Sequence, residues 1–243
     1  MAAIVLVHGG WHGGWCWHLV SDRLRDGGHT VYAPTLTGLG ERAHLLTPDV
    51  GLETHVADIT GLIEREDLND LVLVGHSYGG FVISCAADRL TDRIRSLVYI
   101  DAFVPETDTC TSDYAGKVRL DELNAMADRH GDGWRVPPPD ASFWVSDPKL
   151  IEWVNTRTTD HPKRCFFDRI SLQGKLNDIA SRTYVQAEQH TNPQFLEFYT
   201  RFSKEPGWRT FQLPTQHDVM LTMPDETADI IASAVDLPAL IAE

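Results

Sequence analysis

A serine flanked by glycines stands in Val74-Gly75-His76-Ser77-Tyr78-Gly79-Gly80, where a run of β-formers over 71–74 gives way to a helical pattern from Gly79. A serine hydroxyl is a weak nucleophile until a base takes its proton and the charge that develops is stabilised. A strand-to-helix turn helps with the second need, because a helix N-terminus favours negative charge beside it. The turn also explains the glycines, since side chains at those positions would collide with strand and helix. The Gly-x-Ser-x-Gly pattern recurs by chance, and its place at this turn is what makes the nucleophilic reading specific.

The other parts of such a site can be sought along the chain. His8-Gly9-Gly10-Trp11-His12-Gly13-Gly14 follows the first predicted strand, and backbone without side chains can approach a substrate and aim N–H groups at it. A phosphate-binding loop fits less well, for there is no Lys-Ser/Thr ending and no GxGxxG register. Of the eleven histidines, His8, His12 and His76 lie inside the glycine motifs and read as loop packing. His217, in Thr215-Gln216-His217-Asp218, stands just past the last predicted strand and before an apolar run, and is the expected general base. For the carboxylate that would orient it, the strand 97–100 runs into Asp101-Ala102-Phe103, 24 residues after Ser77. That offset holds one helix and one strand and makes the two strand ends neighbours. Glu188 competes from the end of the strand 183–185, and Asp218 would have to fold back onto its own imidazole. Asp101 is therefore the expected acid.

These residues need a rigid frame. Strand patterns at 4–7, 30–33, 71–74, 97–100, 183–185 and 210–213 alternate with helical patterns at 17–25, 52–65, 79–90, 195–202 and 225–235. The middle strands are apolar on both faces, as buried parallel strands are. From about 105 to 181 the alternation fails. That stretch carries Trp134, Trp144, Trp153, a Pro137-Pro138-Pro139 run and helical patterns near 120–128 and 149–155. It is too long for a structureless loop in a compact domain and reads as a helical cap, with a second small domain as the weaker reading. The expected organisation is one domain over 1–243, with its core in 1–104 and 182–243.

The motifs His8 to Trp15, Gly75 to Gly80 and His217-Asp218-Val219-Met220 resemble the α/β-hydrolase branch of plant methylesterases and hydroxynitrile lyases. Ala33-Pro34-Thr35-Leu36-Thr37-Gly38-Leu39-Gly40-Glu41-Arg42 is closer still to short bacterial esterases of the carbendazim hydrolase type. The resemblance implies an α/β-hydrolase fold, a mostly parallel central sheet flanked by helices with the cap inserted after the sixth strand of the standard fold. It implies the chain order serine, acid, histidine and a cofactor-free serine hydrolase for carboxylic or carbamic esters, amides and lactones being related targets. The oxyanion would rest on the backbone amides of Gly10 and Tyr78. In the plant enzymes the acid follows the strand after the cap, where this chain has Gln186-Ala187-Glu188-Gln189-His190-Thr191; zearalenone lactonases take theirs from the Asp101 position. The lyases of this branch carry a lysine after the histidine and a threonine at the Gly10 position. Here Asp218 and Gly10 stand instead, and an acidic residue beside leaving cyanide is electrostatically wrong. A non-catalytic ligand receptor is the remaining alternative.

Composition agrees with an enzyme acting on a small molecule. The chain has 243 residues, 42% hydrophobic and 23% charged, with a net charge of −14, which argues against nucleic acid and anionic membranes as partners. A homodimer stays open. Cys16, Cys85, Cys110 and Cys165 form no CxxC pair and no zinc-type spacing, so no metal and no cofactor are expected. The apolar run at the N-terminus stops at His8, which points to a cytoplasmic protein without a signal peptide. Trp11, Phe103, Trp134 and Trp144 are the expected apolar or aromatic pocket residues. Cys16, beside the glycine loop, is a further substrate contact or a small buried hydrophobe.

Overall fold

The structure is a computed structural model that describes residues 1–114, 116–179 and 181–235; 236–243, assigned to the core from sequence, lie outside the described residues. In chain order, β1 (Ala3–Val7), α1 (His18–Asp26), β2 (Thr30–Tyr32), α2 (Leu52–Arg65), β3 (Leu71–His76), α3 (Gly79–Arg89) and β4 (Ile94–Ile100) form the first part. An insertion follows, with α4 (Gly116–His130), β5 (Arg135–Val136), α5 (Pro148–Asn155), β6 (His161–Pro162) and α6 (Arg164–Phe167). The chain returns through β7 (Ser181–Ala187), α7 (Pro193–Phe202), β8 (Trp208–Leu213), α8 (Val219–Thr222) and α9 (Pro224–Ser233). No helix among the described residues is long and apolar enough to cross a membrane.

Six strands make one parallel sheet in the order β2-β1-β3-β4-β7-β8. The six expected strands are all present, and the last four run longer than their apolar patterns. Backbone pairing continues through Gly75, His76, Ser96 and Gln186, which need no apolar side chain to join a ladder. Successive residues feed opposite faces. Ile4, Leu6, Val72, Val74, Val98 and Ile100 pack with Trp17, Val20 and Leu24 of the α1 side and with Ile230 and Ile231 of α9. Val5, Val7, Leu71, Leu73, Leu97 and Tyr99 pack with Ile59 and Ile63 of α2, Phe81 of α3 and Phe198 of α7. Strand progression reverses between β1 and β3, so the loops after these strands part and leave a crevice at the carboxyl edge.

The insertion closes that crevice. Its two expected helices are α4 and α5, but it also contains an antiparallel ribbon, with Val136 paired to His161. Two long-range bonds tie this region to the glycine loop: Trp11 Nε1 donates to the Val136 carbonyl at 2.8 Å, and the Thr159 amide donates to the Trp11 carbonyl at 3.0 Å. These contacts, invisible to a periodicity argument, are why the cap is not purely helical.

Close approach of α3 to the chain beyond β4 depends on Gly80, where an added Cβ would overlap the Phe103 carbonyl oxygen. Gly80→Ala should therefore cost about 3 kcal/mol or more, a Tm drop of roughly 10 °C. Gly61→Ala is the control, because a Cβ there meets nothing within 4 Å. It should hold or raise Tm in α2. Equal melting of the two variants by circular dichroism would contradict the packing argument.

Candidate active site

Ser77 stands between β3 and α3 at φ +52°, a left-handed conformation that a non-glycine residue adopts at a cost. The glycines around it act as spacers. A Cβ at Gly75 would lie 2.8 Å from the Gly79 carbonyl oxygen, and one at Gly79 would lie 2.8 Å from the carbonyl oxygens of Val7 and His8. Register does the rest: His76 of β3 pairs with Ile100 of β4, so the next residues, Ser77 and Asp101, leave adjacent strand ends. The Ser77 amide donates to the Ile100 carbonyl at 3.3 Å and the Phe103 amide donates to the Ser77 carbonyl at 3.2 Å. Asp101 and Trp11 share the left-handed backbone, at φ +41° and +64°.

The Asp101 carboxylate is fully buried and three N–H groups reach it. Oδ1 accepts the Ala187 amide at 3.0 Å, and Oδ2 accepts Nδ1 of His217 at 2.6 Å. Oδ2 also accepts Nδ1 of His190 at 2.6 Å. With its Nδ1 proton held by Asp101, a neutral His217 presents the lone pair of Nε2. Burial, reinforced by the neighbouring His190, pushes His217 well below the ordinary histidine range. Glu188 lies beyond β7, where its amide donates to the Leu213 carbonyl, and its side chain lines an outer groove instead of this cavity.

Asp218 is spoken for by another histidine. His12 Nε2 meets Asp218 Oδ2 at 3.1 Å while His12 Nδ1 donates to the Gly10 carbonyl at 2.8 Å. Both ring nitrogens facing acceptors fits a protonated imidazole. Burial opposes that charge, yet the Asp218 carboxylate outweighs it and raises His12. Burial likewise opposes the Asp218 charge, and His12 holds the carboxyl below its usual range. This pair ties the glycine loop to the segment that carries His217, and His76 Nε2 adds a bond to the His217 carbonyl at 3.0 Å.

Ser77 and His217 line one cavity of about 260 Å³, together with Gly10, Tyr78, Trp11 and Trp144. Phe103 and Phe195 are in its wall, as are His190, Thr191 and Asn192 from the β7–α7 loop. Among the expected contacts, Trp11, Phe103 and Trp144 are thus brought to the cavity. Trp134 is not: it is half-buried away from the lining, near the Arg135 guanidinium. Cys16 is not either, being fully buried in the core as a small hydrophobe, where burial pushes its thiol well up. His190 was missed because nothing in Gln189-His190-Thr191 marks it locally. Its partner Asp101 is 89 residues away.

Among the described residues, two side-chain groups have donor atoms near enough to hold an ion, Asp101–His190–His217 and His55–His161–Cys165, each set within 4.8 Å. The second lies beyond the reach of any spacing pattern, for Cys165 is 110 residues from His55. Its imidazoles are kept neutral by burial, His55 down to about 4, while burial holds the Cys165 thiol protonated. His55 Nδ1 meets both the Tyr78 hydroxyl at 3.0 Å and the Cys165 Sγ at 3.5 Å.

Residues 4–230 match the sequence profile of the Alpha/beta hydrolase family. The chain belongs to that family. A "Carbendazim hydrolyzing esterase" of Nocardioides sp. (strain SG-4G) is 41% identical over 242 residues, spanning 96% of this chain and 99% of the relative. "Methylesterase 9" of Arabidopsis thaliana is 36% identical over 108 residues, 44% of this chain and 42% of that protein. Among solved structures, an extracellular α/β-hydrolase from a Paenibacillus species superposes with a TM-score of 0.82 at 22% identity, covering 96% of this chain and 99% of that one. A pyrethroid hydrolase from Sphingobium faniae JZ-2 gives 0.70 at 23% identity with 98% of both chains covered. These two share the fold of this α/β hydrolase.

The buried histidines make the fold acid-sensitive. Burial lowers His8 to about 3 and His55 to about 4, and lowers His76, His161 and His217 well below 6.5. As pH falls through 6.5 the unfolded chain takes up these protons first, so stability drops until each folded value is reached. His55 alone loses about 3 kcal/mol by pH 4. His12 works the other way, its contribution being full below 6.5 and lost as pH rises through its folded value. Five groups oppose one, so the urea midpoint should fall steadily from pH 6.5 to 4.5. A midpoint constant over that range would refute neutral burial.

Proposed function

We propose that this α/β hydrolase is a serine esterase in which Ser77, His217 and Asp101 act together on a small, largely apolar or aromatic ester. The observation that carries the reading is the Asp101–His217 hydrogen bond at 2.6 Å in the same cavity wall as Ser77. His217 Nε2 takes the Ser77 proton as Oγ attacks the ester carbonyl, forming a C–O bond while the carbonyl π electrons move to oxygen. The amides of Gly10 and Tyr78 are the donors for that oxyanion, with the N-terminus of α3 adding its dipole. Collapse expels the alcohol, which leaves with the proton from His217. Water, deprotonated by the same imidazole, then cleaves the acyl-serine and restores Ser77. Asp101 keeps His217 in one tautomer and offsets its charge while it is an imidazolium.

Carboxylic and carbamic esters both suit this chemistry. The relatives' names support the class: an esterase that hydrolyses carbendazim and a group of methylesterases. Aromatic walls from Trp11, Trp144 and Phe103 favour an aryl or alkyl group over a charged one, and the net charge of −14 disfavours anions.

Ser77→Ala should abolish hydrolysis of p-nitrophenyl acetate with the fold intact, and a fluorophosphonate should label Ser77 in the unmodified protein. Asp101→Asn should cost on the order of 10⁴-fold in kcat, while Glu188→Gln stays within about threefold, since its side chain lies outside the cavity. The reverse order would move the acid to Glu188. For the pocket, Trp144→Ala should raise KM on an aryl ester roughly tenfold with a smaller change in kcat. Trp134→Ala should leave both within about twofold. A larger KM effect from Trp134 would contradict the assigned lining.

A further inference from the structure

Asp101 Oδ2 accepts two imidazoles at equal distance, His217 and His190, each through Nδ1 at 2.6 Å. Only the first has a part in the reaction as derived. We propose that His190 is a positioning residue on the same carboxylate, and that a proton on His190 withdraws Asp101 from His217 and switches hydrolysis off. The inference rests on the reading of Ser77, His217 and Asp101 as the hydrolytic group.

The geometry puts both imidazoles on one oxygen of the carboxylate. Oδ1 is taken by the Ala187 amide, and the two rings share Oδ2 with their centroids 4.2 Å apart. A carboxylate oxygen can accept two N–H groups, so both imidazoles fit when neutral, each as the Nδ1–H tautomer. His190 borders the outer groove as well as the cavity, so solvent protons reach it. The titratable groups around the pair come from several elements. Asp101 follows β4, Glu188 shares the outer groove after β7, His217 and Asp218 follow β8, and His76 ends β3. Asp218 is engaged by His12. The aromatic neighbours of His190 are Phe195 at 5.3 Å and Phe143 at 6.3 Å.

One negative charge cannot serve two cations at this spacing equally well. When Ser77 gives up its proton, His217 becomes an imidazolium and needs the full charge of Asp101. If His190 is already an imidazolium, a second positive ring would have to form against it on the same oxygen, so the first proton taken by the pair is inhibitory whichever ring holds it. Two sites competing for a proton take it up at a pH no lower than either site alone. The acid limb of the rate profile therefore belongs to the pair, and a residue at 190 that cannot titrate should move the limb down.

The test is the pH dependence of kcat/KM on p-nitrophenyl acetate for the unmodified full chain, His190→Gln and His190→Phe, with circular dichroism at each pH to confirm folding. The expected result is an acid limb at least half a pH unit lower in both variants, whatever the height of the plateau. A parallel NMR titration of the histidine Cε1–H signals in Ser77→Ala should show the His217 signal titrating at higher pH once His190 is replaced, because the neighbouring charge that holds it down is gone. A limb at its original pH, or displaced upward, overturns the proposal, and a uniform loss of rate with an unmoved limb assigns His190 a packing role only. Labelling of Ser77 by a fluorophosphonate separates the two levels. Labelled Ser77 with an unmoved limb sinks His190 alone, and unlabelled Ser77 sinks the hydrolytic reading itself.

Discussion

The arrangement of this protein turns on one buried carboxylate, Asp101, at the carboxyl end of β4. Burying a charge is tolerable only when it is paired and fully hydrogen-bonded, and here the partners come from three places in the chain: the Ala187 amide, His190 and His217. The left-handed backbone at Asp101 aims the side chain across the strand ends. Satisfying that carboxylate brings the end of β7 and the loop after β8 to the same point. Once they are there, the imidazole of His217 faces the cavity that Ser77 also lines.

A second ionic contact holds the opposite wall. His12 and Asp218 form a buried pair between the glycine loop after β1 and the residue next to His217. Buried ion pairs are poor sources of net stability, but breaking one leaves an uncompensated charge. The pair fixes where the loop lies relative to His217, and Trp144 packs edge-on against His12 at 4.8 Å, carrying the cap into the same contact. Cap, glycine loop and the segment carrying His217 thus share a single joint. The acidic residue beside His217 is held as a carboxylate within this joint.

Charge economy is a theme throughout the site. His8, His55, His76 and His161 are buried and neutral, each directing one N–H at a backbone carbonyl. They act as shaped polar packing between the glycine loop, the turn at Ser77 and the cap. Being neutral when buried, they tie the folded state to near-neutral or higher pH.

Short-range physics made much of this legible in the residues alone. Alternating β-branched runs and helical patterns dictate a parallel sheet with two covered faces, and glycines around Ser77 and after β1 mark places where backbone must meet backbone. The position of Asp101, one strand and one helix after Ser77, follows from chain length and the side-by-side order of consecutive strands. Tertiary structure alone decided the rest, because those contacts join residues that no local pattern relates. It excluded Trp134 and Cys16 from the cavity, since an aromatic or a thiol looks the same in sequence whether it packs inward or lines a pocket. It gave the cap a ribbon through bonds to Trp11, gathered His55, His161 and Cys165 into one cluster, and set His12 on Asp218 across 206 residues. It also placed His190 on the Asp101 carboxylate that holds His217, a pairing fixed by the register of β4 with β7 and by the turn after Ala187, neither of which is written in the residues next to the histidine.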